Sequence, residues 1–415
     1  MTTATSASRA SEWKRWSIVV GATFVLAVTA GGRFMVGLVF DQIRDGFSLS
    51  HSTLGLIVSL NVLVVGAAQP FVGWLVDRLP ARAVAAVGLG LIASGMVLTA
   101  EAHTTVFLII GYGVLVALGL GAVSPVTITP LVAGWFEKRR ATALSVVSMG
   151  SPLGQLAIVP SLALLVDGIG WRDGYFVVAA LLFCVGAPLI LWLLREREDT
   201  ADAAETVTGC SLGNAVRALS FWQLGVGFFV CGFTMSWIMT YFFDYAKVNT
   251  IDKGLAAFSL SMMGGISIIG TLTTGWWSDR SGGTMPLALI YLLRGIGFGL
   301  LFLAKSNPAY MLLAMAVIGF SWSSTVPLTS ALCANIYGRR SLGAIFGFMF
   351  AIMPLGSAVG AALTGFLYDQ TGSYVPSLLI NVAAGTIAAV TVIQVRREPI
   401  FHPIRSRETT QALAD

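Results

Sequence analysis

Two arginines, Arg33 and Arg294, lie deep inside long apolar stretches of this 415-residue chain. A guanidinium in hydrocarbon costs roughly 2.5–3.5 kcal/mol on insertion scales, so each needs a compensating group. All 20 acidic residues fall in loops, tails or the last turns of apolar segments. Asp41 and Asp244 come nearest to the depth of the arginines, and both stand at segment ends. An anionic ligand would supply the missing charge, because a planar guanidinium grips a carboxylate through two parallel hydrogen bonds. Thr29, Arg33 and Gly37 recur every four residues and share one face of a helix. Backbone is the competing partner: carbonyls near Gly31–Gly32 or snorkelling for Arg33, and the carbonyls of a broken neighbouring helix for Arg294.

A second group of charges is set by repetition. Gly73-Trp74-Leu75-Val76-Asp77-Arg78 returns after 202 residues as Gly275-Trp276-Trp277-Ser278-Asp279-Arg280. Each copy ends an apolar segment and carries an Asp-Arg pair into a short loop. Pro152-Leu153-Gly154 and Pro354-Leu355-Gly356 repeat at the same offset, as do Asp167 with Gly170 and Asp369 with Gly372. Arg139-Arg140 recurs as Arg339-Arg340 at an offset of 200. A collinear series of this kind implies two related halves.

The elements that position these residues follow from the solvent. The chain is 56% hydrophobic and 11% charged, with a mean hydropathy of +0.82, whereas soluble domains carry about 25% charged residues. Apolar runs of about 20 residues cross the hydrocarbon core as helices, and alternating strand patterns are absent, which excludes a barrel. Twelve spans are expected: 17–40, 52–75, 83–101, 104–134, 140–166, 174–194, 219–245, 254–277, 285–304, 308–336, 341–367 and 373–394. The expected organisation is a six-helix bundle over 1–194, a polar linker over 195–218 and a second bundle with its tail over 219–415. The first span is retained, since no cleavage site precedes a mature polar domain. With both termini cytoplasmic, the cytoplasmic segments hold 18 of the 25 Lys and Arg, and the opposite side holds Arg44, Arg172, Lys247, Lys253 and Lys305. Positive charge marks the cytoplasmic side.

A 6+6 layout with G-x-x-x-D-R loops after spans 2 and 8 resembles the major facilitator superfamily over almost the whole chain. The resemblance implies an all-α membrane protein of twelve transmembrane helices in two pseudo-symmetric bundles. It implies a cytoplasmic gate built on Gly73, Asp77, Arg78, Gly275, Asp279 and Arg280, with the aspartate facing a neighbouring helix N-terminus. Pro80 stands where the family usually has glycine. Trp135 to Ala141, Gly150 to Gly154 and Gly170-Trp171-Arg172 resemble bacterial relatives of monocarboxylate transporters and oxalate–formate antiporters. Gly32-Arg33-Phe34 and Tyr291-Leu292-Leu293-Arg294 have the same character. Animal monocarboxylate carriers place an arginine late in span 8, where this chain has Thr271.

In that fold spans 1, 4, 7 and 10 line a central cavity, which puts Arg33 at the substrate and Arg294, on span 9, at the periphery. Tyr112, Ser124 and Thr127 on span 4, Trp237, Thr240 and Tyr241 on span 7, and Ser321, Ser323 and Ser324 on span 10 face the cavity or its edge. Asn61 and Gln155 stand on spans 2 and 5. Each polar residue also serves as packing glue between helices. The expected binding set is Arg33, Tyr112, Asn61, Tyr241, Arg294, Ser324 and Gln155. Pro125, Pro130 and Pro327 are expected to bend spans 4 and 10.

Enzymatic readings fail. The chain has no GxxxxGK[ST] loop, no HExxH and no catalytic triad in a soluble segment. Cys184, Cys210, Cys231 and Cys333 form no CxxC pair, and the three histidines are scattered, so neither disulfide framework, metal nor cofactor is expected. The expected function is secondary transport of a small organic anion, a monocarboxylate or related carboxylate, with a proton or an exchanged anion as coupling partner. The alternative is proton-coupled export of drugs or other amphipathic compounds, although such pumps commonly carry a membrane-embedded acid. A transport-like sensor is disfavoured by short tails. The expected partners are the solute and the lipid bilayer, not nucleic acid, for a monomer in a bacterial inner membrane.

Overall fold

A computed structural model describes residues 16–29, 39, 42–43, 46–49, 51–136, 139–186, 188, 190, 209–304 and 307–396. Lipid offers the backbone no partner, so each apolar segment satisfies its own N–H and C=O groups by coiling. The first half contains α1 (Trp16–Thr29), α2 (His51–Val76) and α3 (Ala81–Ala100). Span 4 follows as α4 (Thr105–Leu108), a π-helical stretch (Ile109–Val116), α5 (Ala117–Ala122) and α6 (Pro125–Trp135). Span 5 is α7 (Arg140–Ser148) with α8 (Gly150–Ile169), and span 6 begins with α9 (Trp171–Leu181). The short α10 (Leu212–Arg217) precedes α11 (Leu219–Val248), α12 (Lys253–Ser281) and α13 (Thr284–Leu303), which are spans 7 to 9. Span 10 is α14 (Pro308–Trp322) with α15 (Thr325–Tyr337), and α16 (Leu342–Thr371) and α17 (Val375–Ile393) complete the chain.

Among the described residues nine helices are long and apolar enough to cross a membrane, corresponding to spans 2–4 and 7–12. The architecture is all-α. The proposed linker residues 195–208 lie outside the described residues, while Cys210 ties its far end to span 10 through a backbone bond from its N–H to the Tyr337 carbonyl (2.9 Å).

The two halves repeat their packing as well as their sequence. A Cβ on Gly154 would lie 2.0 Å from the Ala27 carbonyl oxygen of span 1, and one on Gly356 would lie 2.0 Å from that of Phe229 on span 7. The repeated Pro-Leu-Gly phrase thus lets spans 5 and 11 press on spans 1 and 7, and a side chain at either glycine would part them. Between the halves, α2 packs on α16 and α12 on α7.

Spans 4 and 10 are broken at matching depth. Span 4 stops at Ala122 and restarts at Pro125, where the missing N–H costs nothing because the first helical turn has no intrahelical acceptor for it. Ser124 caps the new start by accepting from the Val126 N–H (3.3 Å), and the Thr127 hydroxyl donates to the stranded Ala122 carbonyl (2.6 Å). Span 10 stops at Trp322 and restarts at Thr325, with Pro327 in the first turn of the second half.

Candidate functional site

The duplicated phrase builds a pair of crossed clasps between the halves. Asp77 follows the last turn of α2 and reaches the start of α16 in the other half. Its two carboxylate oxygens accept from the backbone N–H groups of Gly343 and Ala344, each at 2.8 Å. Asp279 does the reciprocal thing at the start of α7. It accepts from the N–H of Ala141 (2.8 Å) and Thr142 (2.9 Å) and from the Thr142 hydroxyl (2.6 Å). Helix starts carry unsatisfied N–H groups and partial positive charge, so each aspartate caps a helix that belongs to the other half. Burial pushes the Asp77 carboxyl up to about 6, although the two amides and Arg78 pull the other way.

Glycine makes these contacts possible. A Cβ at Gly73 would stand 2.1 Å from the Gly343 carbonyl oxygen, and one at Gly275 would stand 2.1 Å from the Ser145 hydroxyl. Arg140 bridges the same seam by donating to the Asn335 side-chain oxygen (2.7 Å), and the Arg339 guanidinium lies over Gly134, where a Cβ would stand 2.8 Å from its Nη2. A cavity of about 100 Å³ lies against this seam, lined in part by Arg140, Asp279 and Asn335. The arginines of the two phrases do not join the clasps. Arg78 lies 3.9 Å over the Trp74 ring and Arg280 lies 3.5 Å over the Trp276 ring, as cation–π pairs on the outer surface.

Arg294 is wholly buried and all its partners are neutral. Its Nη2 donates to the carbonyls of Ser321 (2.5 Å) and Trp322 (3.1 Å), the last two residues of α14. Its Nη1 reaches the Cys231 sulfur (3.2 Å) and the Thr234 hydroxyl (3.4 Å), and its Nε reaches the Ser321 hydroxyl (3.4 Å). The end of a helix exposes unpaired carbonyls and partial negative charge, which together offset a cation without any acid. The deep charge that seemed to lack a partner is answered here by a helix end.

The other candidates fall into separate places. Asn61 donates to the Tyr112 carbonyl at 2.7 Å, and both residues are buried. Tyr112 stands in the π-helical stretch, a geometry frequent at functional sites, and Asn61 satisfies a carbonyl within it. Ser324 stands at the break of span 10 and donates to Phe320 (3.3 Å). Tyr241 is remote from that break and donates to the Ala361 carbonyl on α16 (2.8 Å). Gln155 lies on α8 with its side chain outside the described residues, and Arg33 lies outside them altogether. Two polar groups escaped the sequence reading. Gln69, buried on α2, meets the Ser124 hydroxyl at 3.2 Å beside the break of span 4. Cys231 and Thr234, three residues apart on one face of span 7, hold the Arg294 guanidinium. A glutamine inside an apolar span was a visible signal; a cysteine and a threonine there were not.

Comparison with known proteins follows the same outline. The profile of the Major Facilitator Superfamily matches residues 22–293 and 224–414. The uncharacterized MFS-type transporter YcxA of Bacillus subtilis is 25% identical, with 98% of this chain and 100% of that protein aligned. Human monocarboxylate transporter 11 is 26% identical over 88% of this chain and 79% of its own. Among solved structures, the transporter FucP in its outward conformation superposes with a TM-score of 0.70 at 18% identity, covering 90% of this chain and 97% of that one. The human organic anion transporter MFSD10 does so with a TM-score of 0.72 at 16% identity, covering 91% and 99%. The profile spans both halves, and the helices, the crossed clasps and the broken spans carry its fold; the chain belongs to the major facilitator superfamily.

Proposed function

We propose that this transporter moves a small organic anion, a monocarboxylate or related carboxylate, by alternating access. The crossed aspartate clasps carry the reading. They join the halves on one face through two reciprocal sets of hydrogen bonds, so that face opens when both are released. Its loops hold Arg78, Arg82, Arg139, Arg140, Arg280, Arg339 and Arg340, and the positive-inside rule makes it the cytoplasmic face. Both termini and the linker at 195–218 share that side, and a monomer holds a complete path between its bundles. The bacterial relative aligned over its full length supports a bacterial inner membrane.

The anionic substrate follows from charge. With Arg294 answered by a helix end, Arg33 is the remaining deep cation, and no acid shares its depth. Arg33 is the main anion-binding group in this account, with Asn61 and Tyr112 shaping the same half of the path. Names among the relatives agree in kind, being monocarboxylate transporters 11, 12 and 13. A proton or a second anion travels as the coupling partner. Purified protein in liposomes, offered a panel of radiolabelled short monocarboxylates, tests the substrate class. Saturable uptake supports it. Movement of a lipophilic cation alone overturns it in favour of drug export.

A further inference from the structure

The break in span 10 separates a half that packs within its own bundle from a half that also reaches the other. The first half, α14, packs against α12 and α13 of its own bundle. The second half, α15, leans on α6 and α7 of the other bundle as well as on α12, α13 and α16 of its own. When the halves part on the clasped face, α15 must leave α6 and α7 while α14 stays with its own. The turn at Ser323–Ser324 is where the direction changes. The helical ladder is interrupted there, and the last carbonyls of α14 lose their helical donors. Pro327 deepens the interruption because it brings no N–H to the Ser323 carbonyl. Arg294 fills the gap. It takes the Ser321 and Trp322 carbonyls with one nitrogen and anchors its other two to Ser321, Cys231 and Thr234. Cys231 in turn contacts the Thr325 hydroxyl at the start of α15 (3.2 Å). The guanidinium therefore ties span 9 and span 7 to both sides of the break.

We propose that Arg294 is a positioning residue: it clasps the open carbonyls of span 10, fixes the angle at which α15 leans on the other half, and so sets the gate equilibrium. It acts without touching the transported anion. A lysine reproduces the charge but not the fork, since one ammonium cannot span two carbonyls and three side chains. The proposal rests on the alternating-access reading, yet its test needs no substrate, so a wrong substrate class leaves it standing.

The test is hydrogen–deuterium exchange on the full chain in lipid nanodiscs, read at two windows. One is 323–330, across the break. The other is Gly343 and Ala344, whose amides the Asp77 carboxylate holds in the closed gate. Arg294→Gln speeds exchange in both windows by about tenfold, the effect of losing bonds to a charged donor, and Arg294→Lys gives a smaller change of the same sign. Trp237→Phe is the control. It removes a buried hydrogen bond to Ser377 (2.9 Å) in the same half and leaves both windows unchanged while lowering thermal stability. If Arg294→Gln does not fold, Arg294→Lys carries the test. Wild-type exchange at Gly343 and Ala344 in a folded Arg294 variant overturns the proposal.

Discussion

In the proposed gate the clasped state buries part of the Asp77 carboxylate, and its pKa rises to about 6 from the ordinary 3.8. An open gate returns the group to water and to the ordinary value. The closed state therefore binds the extra proton, gains stability as pH falls through about 6 towards 3.8, and loses that gain as pH rises through 6. Spin labels at Ala83 and Met285, matching positions of the two halves, are expected to report a larger closed fraction at pH 5 than at pH 7. Asp77→Asn removes that dependence, and it lowers turnover more than substrate affinity because the charge acts on opening. A pH response unchanged in Asp77→Asn, or wild-type turnover, contradicts the assignment. Part of this was legible in the sequence: a charge repeated at the end of two apolar segments must act at a boundary. Its partners were not legible, because Gly343 and Ala344 are ordinary residues whose free amides exist only as the start of a helix. Arg294 shows the other side, since of the two partners its sequence position allowed, an anion or the carbonyls of a broken neighbouring helix, it has the carbonyls.

Elements pack across the gate at two glycines, and the pairs are not equal. A methyl at Gly73 meets backbone, the Gly343 carbonyl, which moves only with its helix. A methyl at Gly275 meets first the Ser145 hydroxyl, the end of a short rotatable side chain. Overpacking against an unyielding neighbour costs about 1–3 kcal/mol, which shifts the gate equilibrium roughly five- to 150-fold. Gly73→Ala is expected to open the clasped face and cut turnover by about tenfold or more, with Gly275→Ala milder by several-fold. Equal effects in a liposome transport assay would contradict this. Of the prolines expected to bend spans 4 and 10, Pro125 and Pro327 stand just past the two breaks, while α6 runs on through Pro130. The π-helical stretch around Tyr112 had no such signal, because nothing in its residue types separates one helical register from another.

The proposed topology puts the linker on the cytoplasmic side, so a cysteine placed between 195 and 208 is expected to react with an impermeant maleimide only in inside-out vesicles; labelling from outside intact cells would reverse the topology. The twofold pattern was readable at this scale, since a 202-residue offset brings both phrases to a helix start in the other half. The substrate was readable only as a charge. Removing a charge-assisted bond costs about 1.5–3 kcal/mol, so Arg33→Ala should weaken anion affinity roughly ten- to 150-fold, and Arg33→Lys should recover only part of it. The most direct measurement is saturable uptake of a radiolabelled short monocarboxylate into proteoliposomes, wild type beside Arg33→Ala. The account predicts concentration-dependent uptake by the wild type and a half-saturation raised by at least about tenfold in the variant. A wild type that moves no carboxylate, or an Arg33→Ala protein that takes it up with unchanged affinity, would contradict it.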